Sequence, residues 1–81
     1  MTREEVLAKV REHLAGELEV PGDSITDRTR LRDDLDADSL DLYELVMELE
    51  DTYGIKVSEE EASRIETVGD AVDFVAGRLP A

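Results

Sequence analysis

The chain has no cysteine, no tryptophan, two prolines and a single histidine in 81 residues. Without cysteine, neither a disulfide nor a thiolate metal site can support the fold, so side-chain packing must hold a domain that commands only about 3–5 kcal/mol of net stability. Basic residues are scarce: nine Lys and Arg stand against 22 Asp and Glu, for a net charge of −13. That balance excludes the basic footprint of a nucleic-acid binder and points to basic proteins as partners. A long hydrophobic run is also missing. The charged start Met1-Thr2-Arg3-Glu4-Glu5 leads into no apolar segment, so neither a signal peptide nor membrane attachment is expected. The composition reads as one cytoplasmic domain over residues 1–81, expected to be a monomer.

What the chain does have is 41% hydrophobic residues set at helical spacing, enough to offset the ordering entropy of an acidic sequence. Thr2 and Glu5 form a capping-box pattern, and Val6, Leu7, Val10, Leu14 and Leu18 follow on one stripe. A first helix is predicted from residue 3 to between 15 and 18, with Gly16 fraying its end. Val20-Pro21-Gly22-Asp23-Ser24 is turn chemistry, and residues 20–37 carry no sustained period. Ile25, Leu31 and Leu35 are the residues able to pin this long loop to a core.

Asp38 or Ser39 can cap a second helix running to Tyr53, with Gly54 as its stop. Ile55-Lys56-Val57 reads as a short extended connector. Ser58 and Glu61 repeat the capping box before a short helix that can cover only Ala62 and Ile65. Thr67-Val68-Gly69-Asp70 opens the last helix, where Val68, Ala71, Val72, Val75 and Leu79 form a stripe that Pro80 terminates. The predicted fold is all-α: three longer helices, one short one, and a long loop after the first.

The second helix carries two apolar stripes. At 100° per residue Leu42, Leu45, Val46, Leu49 and Tyr53 share one arc, the core face, while Leu40, Tyr43 and Met47 form another roughly 130° away. Asp33, Asp34, Asp36, Asp38, Asp41, Glu44, Glu48, Glu50 and Asp51 run through this region without one basic residue. Two readings are open. Either the second stripe packs on the long loop beside a solvated acidic face, or Leu40, Asp41, Tyr43, Glu44, Met47 and Glu48 form a docking surface, apolar at its centre and acidic around it.

Ser39 begins this helix at an azimuth between the stripes. A serine there is commonly a cap, and no neighbour could activate it as a nucleophile. His13, the one histidine, lies on the flank of the first helix and reads as a surface residue. No catalytic triad can be assembled and no enzyme is predicted. Asp34, Asp36 and Asp38 match the first three ligand positions of a calcium loop, but Ser39 stands where the sharp turn needs glycine and Leu45 where the bidentate glutamate belongs. No metal site is assigned.

The run Asp34-Leu35-Asp36-Ala37-Asp38-Ser39-Leu40-Asp41, continued by Glu44-Leu45-Val46-Met47-Glu48-Leu49-Glu50, resembles the signature of bacterial acyl carrier proteins. The likeness extends through Tyr53-Gly54-Ile55-Lys56-Val57 and Thr67-Val68-Gly69-Asp70-Ala71-Val72-Asp73. It implies a four-helix bundle with a short third helix. It also implies that a phosphopantetheinyl transferase loads 4′-phosphopantetheine from coenzyme A, with magnesium, onto Ser39 in the motif Asp38-Ser39-Leu40. The arm would hold acyl groups as thioesters and present them to synthases and transferases with basic docking patches, and the bundle would shelter apolar chains. Two positions depart from the family pattern: Asp36, where glycine is frequent, and Tyr43, where a small aliphatic residue is expected. Both bear on which enzymes are served. The acidic second helix favours a discrete carrier of fatty-acid biosynthesis. A polyketide or other specialised carrier is the alternative, and an unmodified acidic adaptor is the alternative of another class.

The uncompensated acids generate a prediction independent of the family. Salt or divalent cations should screen or bridge them, so the melting temperature at neutral pH should rise with either; one indifferent to both would show that repulsion is not a significant term.

Overall fold

The computed structural model describes residues 2–78. The sequence supplies a reciprocal cap at each of four helix starts, and a helix follows each one. Thr2 Oγ1 accepts from the N–H of Glu5 ahead of α1 (Arg3–Leu18), and Asp38 does the same for Asp41 ahead of α2 (Ser39–Tyr53). Ser58 serves Glu61 ahead of α3 (Glu59–Ser63). Before α4 (Val68–Arg78), Thr67 Oγ1 accepts from the N–H of Asp70 at 3.1 Å and the Asp70 carboxylate accepts from the N–H of Thr67 at 3.1 Å. Each pair satisfies donors that the first helical turn leaves unpaired. Residues 79–81, including Leu79 and Pro80 of the predicted last stripe, lie outside the described residues.

Gly16 does not fray α1. The helix runs through it to Leu18 and ends where Glu19 turns left-handed at φ 54°, with the N–H groups of Glu19 and Val20 both reaching the Ala15 carbonyl. Two turns of stripe residues beyond Val10 hold the helix past a weak helix former. At the end of α2, Gly54 takes the equivalent conformation, φ 65°, without the steric cost a side chain brings.

The core is the set the helical stripes select. Val6, Val10 and Leu14 of α1, Leu45 and Leu49 of α2, and Val68, Ala71, Val72 and Val75 of α4 are buried together with Ile65. α1 lies against both α4 and α2, most extensively α4. Leu42 and Tyr53, placed on the core face by periodicity, are only half-buried, as are Leu7 and Leu18. No helix among the described residues is long and apolar enough to cross a membrane.

The long loop is held by side chains and backbone alike. Ile25 and Leu31 are fully buried and Leu35 packs partly on the core. The pairing runs between 27–31 and 66–69: Leu31 N–H donates to Glu66 O, Val68 N–H to Thr29 O and Gly69 N–H to Asp27 O, each at 2.9 Å. Ala37 N–H returns to Leu31 O at 2.9 Å. Arg3 adds an ion pair to Asp27 at 2.9 Å and another to Asp73 at 2.7 Å, which hold its guanidinium pKa above the ordinary value.

Two substitutions probe these constraints in opposite directions. A Cβ at Gly69 would sit 2.8 Å from the Asp27 carbonyl oxygen, so Gly69→Ala should cost about 1–3 kcal/mol by forcing the loop away. Glu19→Gly should stabilise by about 1 kcal/mol by removing a left-handed non-glycine residue. Thermal melts read both, and equal shifts of one sign would contradict the account.

Candidate functional site

Asp38, not Ser39, is the cap of α2. Asp38 Oδ1 accepts from the Asp41 N–H at 2.9 Å and Asp41 Oδ2 accepts from the Asp38 N–H at 3.1 Å. Ser39 is therefore the first helical residue; it is exposed, and among the described residues its hydroxyl makes no hydrogen bond. The ordinary explanation for a serine at a helix start is thus taken by its neighbour. The N–H groups of Ser39 and Leu40 precede the first intrahelical bond, Leu42 N–H to Asp38 O, and stay available to an acceptor.

Ser39 stands on the wall of a cleft of about 450 Å³ between α2 and the segment containing α3. Leu42, Leu45, Val46, Val57, Ala62 and Ile65 supply its apolar lining, with Arg32, Tyr43, Glu50, Ser58, Glu59 and Ser63 completing it. α3 is one short helix with a polar capping box, and its side of the cleft has Ala62 and, just beyond the helix, Ile65 as its apolar residues.

The segment leading to Ser39 is bent twice. Asp34 accepts from the Arg30 N–H at 2.8 Å and pairs with its guanidinium at 3.2 Å, and these contacts hold the Asp34 carboxyl below its usual value, the backbone bond foremost. Asp36 then adopts φ 56°, a left-handed conformation that glycine takes freely and aspartate tolerates better than most residues. Asp34 and Asp36 thus shape the turn.

The second stripe of α2 is a free surface. Leu40, Tyr43 and Met47 are 61%, 62% and 45% exposed, the large hydrophobic residues most open to solvent among those described. They do not pack on the long loop. Of the acids around them, Asp41 is half-committed to the cap and Glu48 accepts from the Thr52 hydroxyl at 3.2 Å.

Glu44 has a neighbour that sequence reasoning missed. Glu17 of α1 comes close enough that the carboxyls of Glu17, Asp41 and Glu44 lie within 4.8 Å of one another. A hydrogen bond shared with Glu17 pushes the Glu44 pKa up, and the charges of Glu17, Asp41 and Asp38 push it further. A carboxyl raised in the folded state contributes stability below its ordinary pKa, and the contribution is lost as pH rises through the raised value. By geometry alone, one cation could touch all three carboxyls.

His13 is not a plain surface residue. It is half-buried in a second cleft, about 420 Å³ between α1 and α2, with its Nε2 enclosed and without a hydrogen-bond partner among the described residues. Tyr53 lines the same cleft; its hydroxyl is likewise enclosed without a partner, and burial raises its pKa, aided by the charge of Glu5. Ser39 does not line this cleft. The histidine and the serine stand in separate sites, so the geometry offers Ser39 no imidazole base.

An exposed, unactivated serine at a helix start, beside an apolar cleft and an open acidic helix, suits a residue modified by another protein. The comparisons with known proteins point the same way. The family described as "Phosphopantetheine attachment site" matches residues 8–75. The chain is 45% identical over 75 residues to the acyl carrier protein of Lactobacillus acidophilus, covering 93% of this chain and 94% of the relative. It is 49% identical over 75 residues to that of Rubrobacter xylanophilus, covering 93% of each. Its structure is similar to that of the acyl carrier protein from Enterococcus faecalis, with a TM-score of 0.83 and 47% identity over 95% of this chain and 98% of the other. With a family match spanning most of its length and relatives of this identity, the chain belongs to the acyl carrier protein family.

Proposed function

We propose that residues 1–81 act as one carrier domain in which Ser39 bears 4′-phosphopantetheine, and that the loaded domain delivers acyl groups to the enzymes of fatty-acid biosynthesis. Members of this family are carriers and not catalysts. The observation that supports Ser39 most is the capping of α2 by Asp38, which leaves the Ser39 hydroxyl exposed and uncommitted. The free N–H groups at the start of α2 suit a phosphate ester. When bound, the group supplies a terminal thiol that holds acyl chains as thioesters. The chain's own part is to present the hydroxyl and to offer the apolar wall of Leu42, Val46, Ala62 and Ile65 as shelter for an alkyl chain.

The loading reaction joins Ser39 Oγ to phosphorus and breaks the pyrophosphate link of coenzyme A. The Ser39 hydroxyl is hydrogen-bonded to no base among the described residues, so the base and the magnesium are assigned to the transferase. Leu40, Tyr43 and Met47 supply apolar contact for the transferase and the synthases, and Asp41, Glu44 and Glu48 the charge that steers basic patches towards it. Tyr43, larger than the family pattern expects and 62% exposed, is the feature that favours a specialised acyl pathway as the second reading.

Incubation of the wild type with coenzyme A, magnesium and a broadly tolerant transferase should add one phosphopantetheinyl mass, and Ser39→Ala should gain none. Modification persisting in the variant would remove Ser39 from the site, and none in the wild type would leave the unmodified adaptor as the better account.

Steering and contact should separate in the kinetics of binding to a cognate synthase. Replacing Glu44 and Glu48 together by lysine should slow association by about tenfold and flatten its salt dependence. Tyr43→Ala should instead speed dissociation several-fold. Circular dichroism is the folding control: neither change touches the buried arc of Leu45, Val46 and Leu49. Unchanged kinetics in both variants would place docking elsewhere.

A further inference from the structure

Three arginines, Arg28, Arg30 and Arg32, alternate along the loop that precedes Ser39, and the structure uses them differently. Arg30 is held by Asp33 and Asp34 at 3.5 and 3.2 Å. Arg28 and Arg32 have no side-chain ion pair or hydrogen bond among the described residues, but only Arg32 lines the cleft that contains Ser39. Glu50 and Glu59 line the same cleft, and neither forms an ion pair with Arg32 there. In a chain with net charge −13, Arg32 thus stands as an uncommitted arginine on the wall of the cleft that Ser39 also lines.

We infer that Arg32 forms an ion pair with the phosphodiester of the prosthetic group on Ser39. The inference rests on the Ser39 reading above and adds a positioning residue to it. A guanidinium presents parallel N–H donors that match the two non-bridging oxygens of a phosphate, and its charge opposes the repulsion that Asp36, Asp38 and Asp41 exert on a new anion. The ester oxygen is fixed on Ser39, so the pair costs the ordering of one side chain only. Such a contact limits the directions in which the arm can leave α2 and favours those along the cleft wall.

The test compares apo and holo forms of the wild type, Arg32→Ala, Arg32→Lys and Arg28→Ala, each checked by intact mass. Loading adds a negative charge to an already acidic chain, which by itself should lower the melting temperature. Arg32 should offset that loss, so the holo-minus-apo difference at low salt should be about 2–4 °C more favourable in the wild type than in Arg32→Ala. High salt should close the gap. Arg32→Lys should keep part of it, while Arg28→Ala, which removes the same charge outside the cleft, should match the wild type. The phosphorus NMR resonance of the holo protein should shift in Arg32→Ala and stay in place in Arg28→Ala.

A normal mass gain with an unmoved phosphorus resonance and equal melting differences in all four proteins would overturn the pairing and leave the attachment reading intact. Equal losses in Arg32→Ala and Arg28→Ala would overturn it too, by reducing the effect to net charge. Absence of any mass gain at Ser39 would overturn the attachment reading, and the pairing with it.

Discussion

The main-chain pairing of residues 27–31 with 66–69 is the constraint on which the site depends. Leu31, Val68 and Gly69 each donate one hydrogen bond across it, and Ile25 just before the segment and Leu31 at its end are buried. A loop of this length would otherwise sample many paths. Once Leu31 is fixed, the Ala37 N–H bonds back to its carbonyl, and Asp38 follows one residue later as the cap of α2. The position of Ser39 is therefore inherited from a contact between the loop that precedes it and the start of α4, an element remote from it in sequence. The close approach of Gly69 to Asp27 is the tightest point of that contact.

Charge is the second organising term, and it is distributed unevenly. The arginines that are committed act as ties: Arg3 joins α1 to Asp27 and Asp73, and Arg78 joins α4 to Glu61 and the Lys56 carbonyl. These ion pairs are open to solvent on at least one side, so each contributes a modest free energy. None of them neutralises α2. Its acids remain open, and one of them, Glu44, is pressed against Glu17 of α1. A folded protein that keeps such repulsion on one helix face loses stability for it, and the loss is recoverable only when a cation or a basic partner arrives.

Much of this was legible in the residues. Capping patterns at Thr2 and Ser58, the cap candidates Asp38 and Ser39, and the stripes behind them located the helices, because caps and periodicity are local signals. The same arithmetic separated Leu40, Tyr43 and Met47 from the core, and their exposure bears that out. What was not legible depends on contacts between distant segments. Glu17 meeting Asp41 and Glu44, the enclosed Nε2 of His13, and Arg32 on the cleft wall all require the packing angle of α1 or the path of the loop. The end of α1 at Leu18 is the far limit of the predicted 15–18, and only the fraying expected at Gly16 does not occur: its low helix propensity is outweighed by the burial of Leu14 and the packing of Leu18.

The separation of the two clefts also bears on why this fold carries and does not catalyse. A nucleophilic serine needs a base within hydrogen-bonding reach, and the one histidine is enclosed on the other cleft of α2 with carboxylates Glu17 and Glu48 as fellow lining residues. The Ser39 hydroxyl is thus left without an imidazole partner, and on the proposed reading its modification would depend on another protein. Such a protein would meet the start of α2, and the exposed residues beginning at Leu40 adjoin Ser39 on the same helix. On the proposed reading, attachment point and docking face would be one rigid body, since Ser39 and the stripe belong to the same helix: an enzyme that recognised the stripe would hold the arm's origin at a fixed offset and leave the variation in reach to the arm.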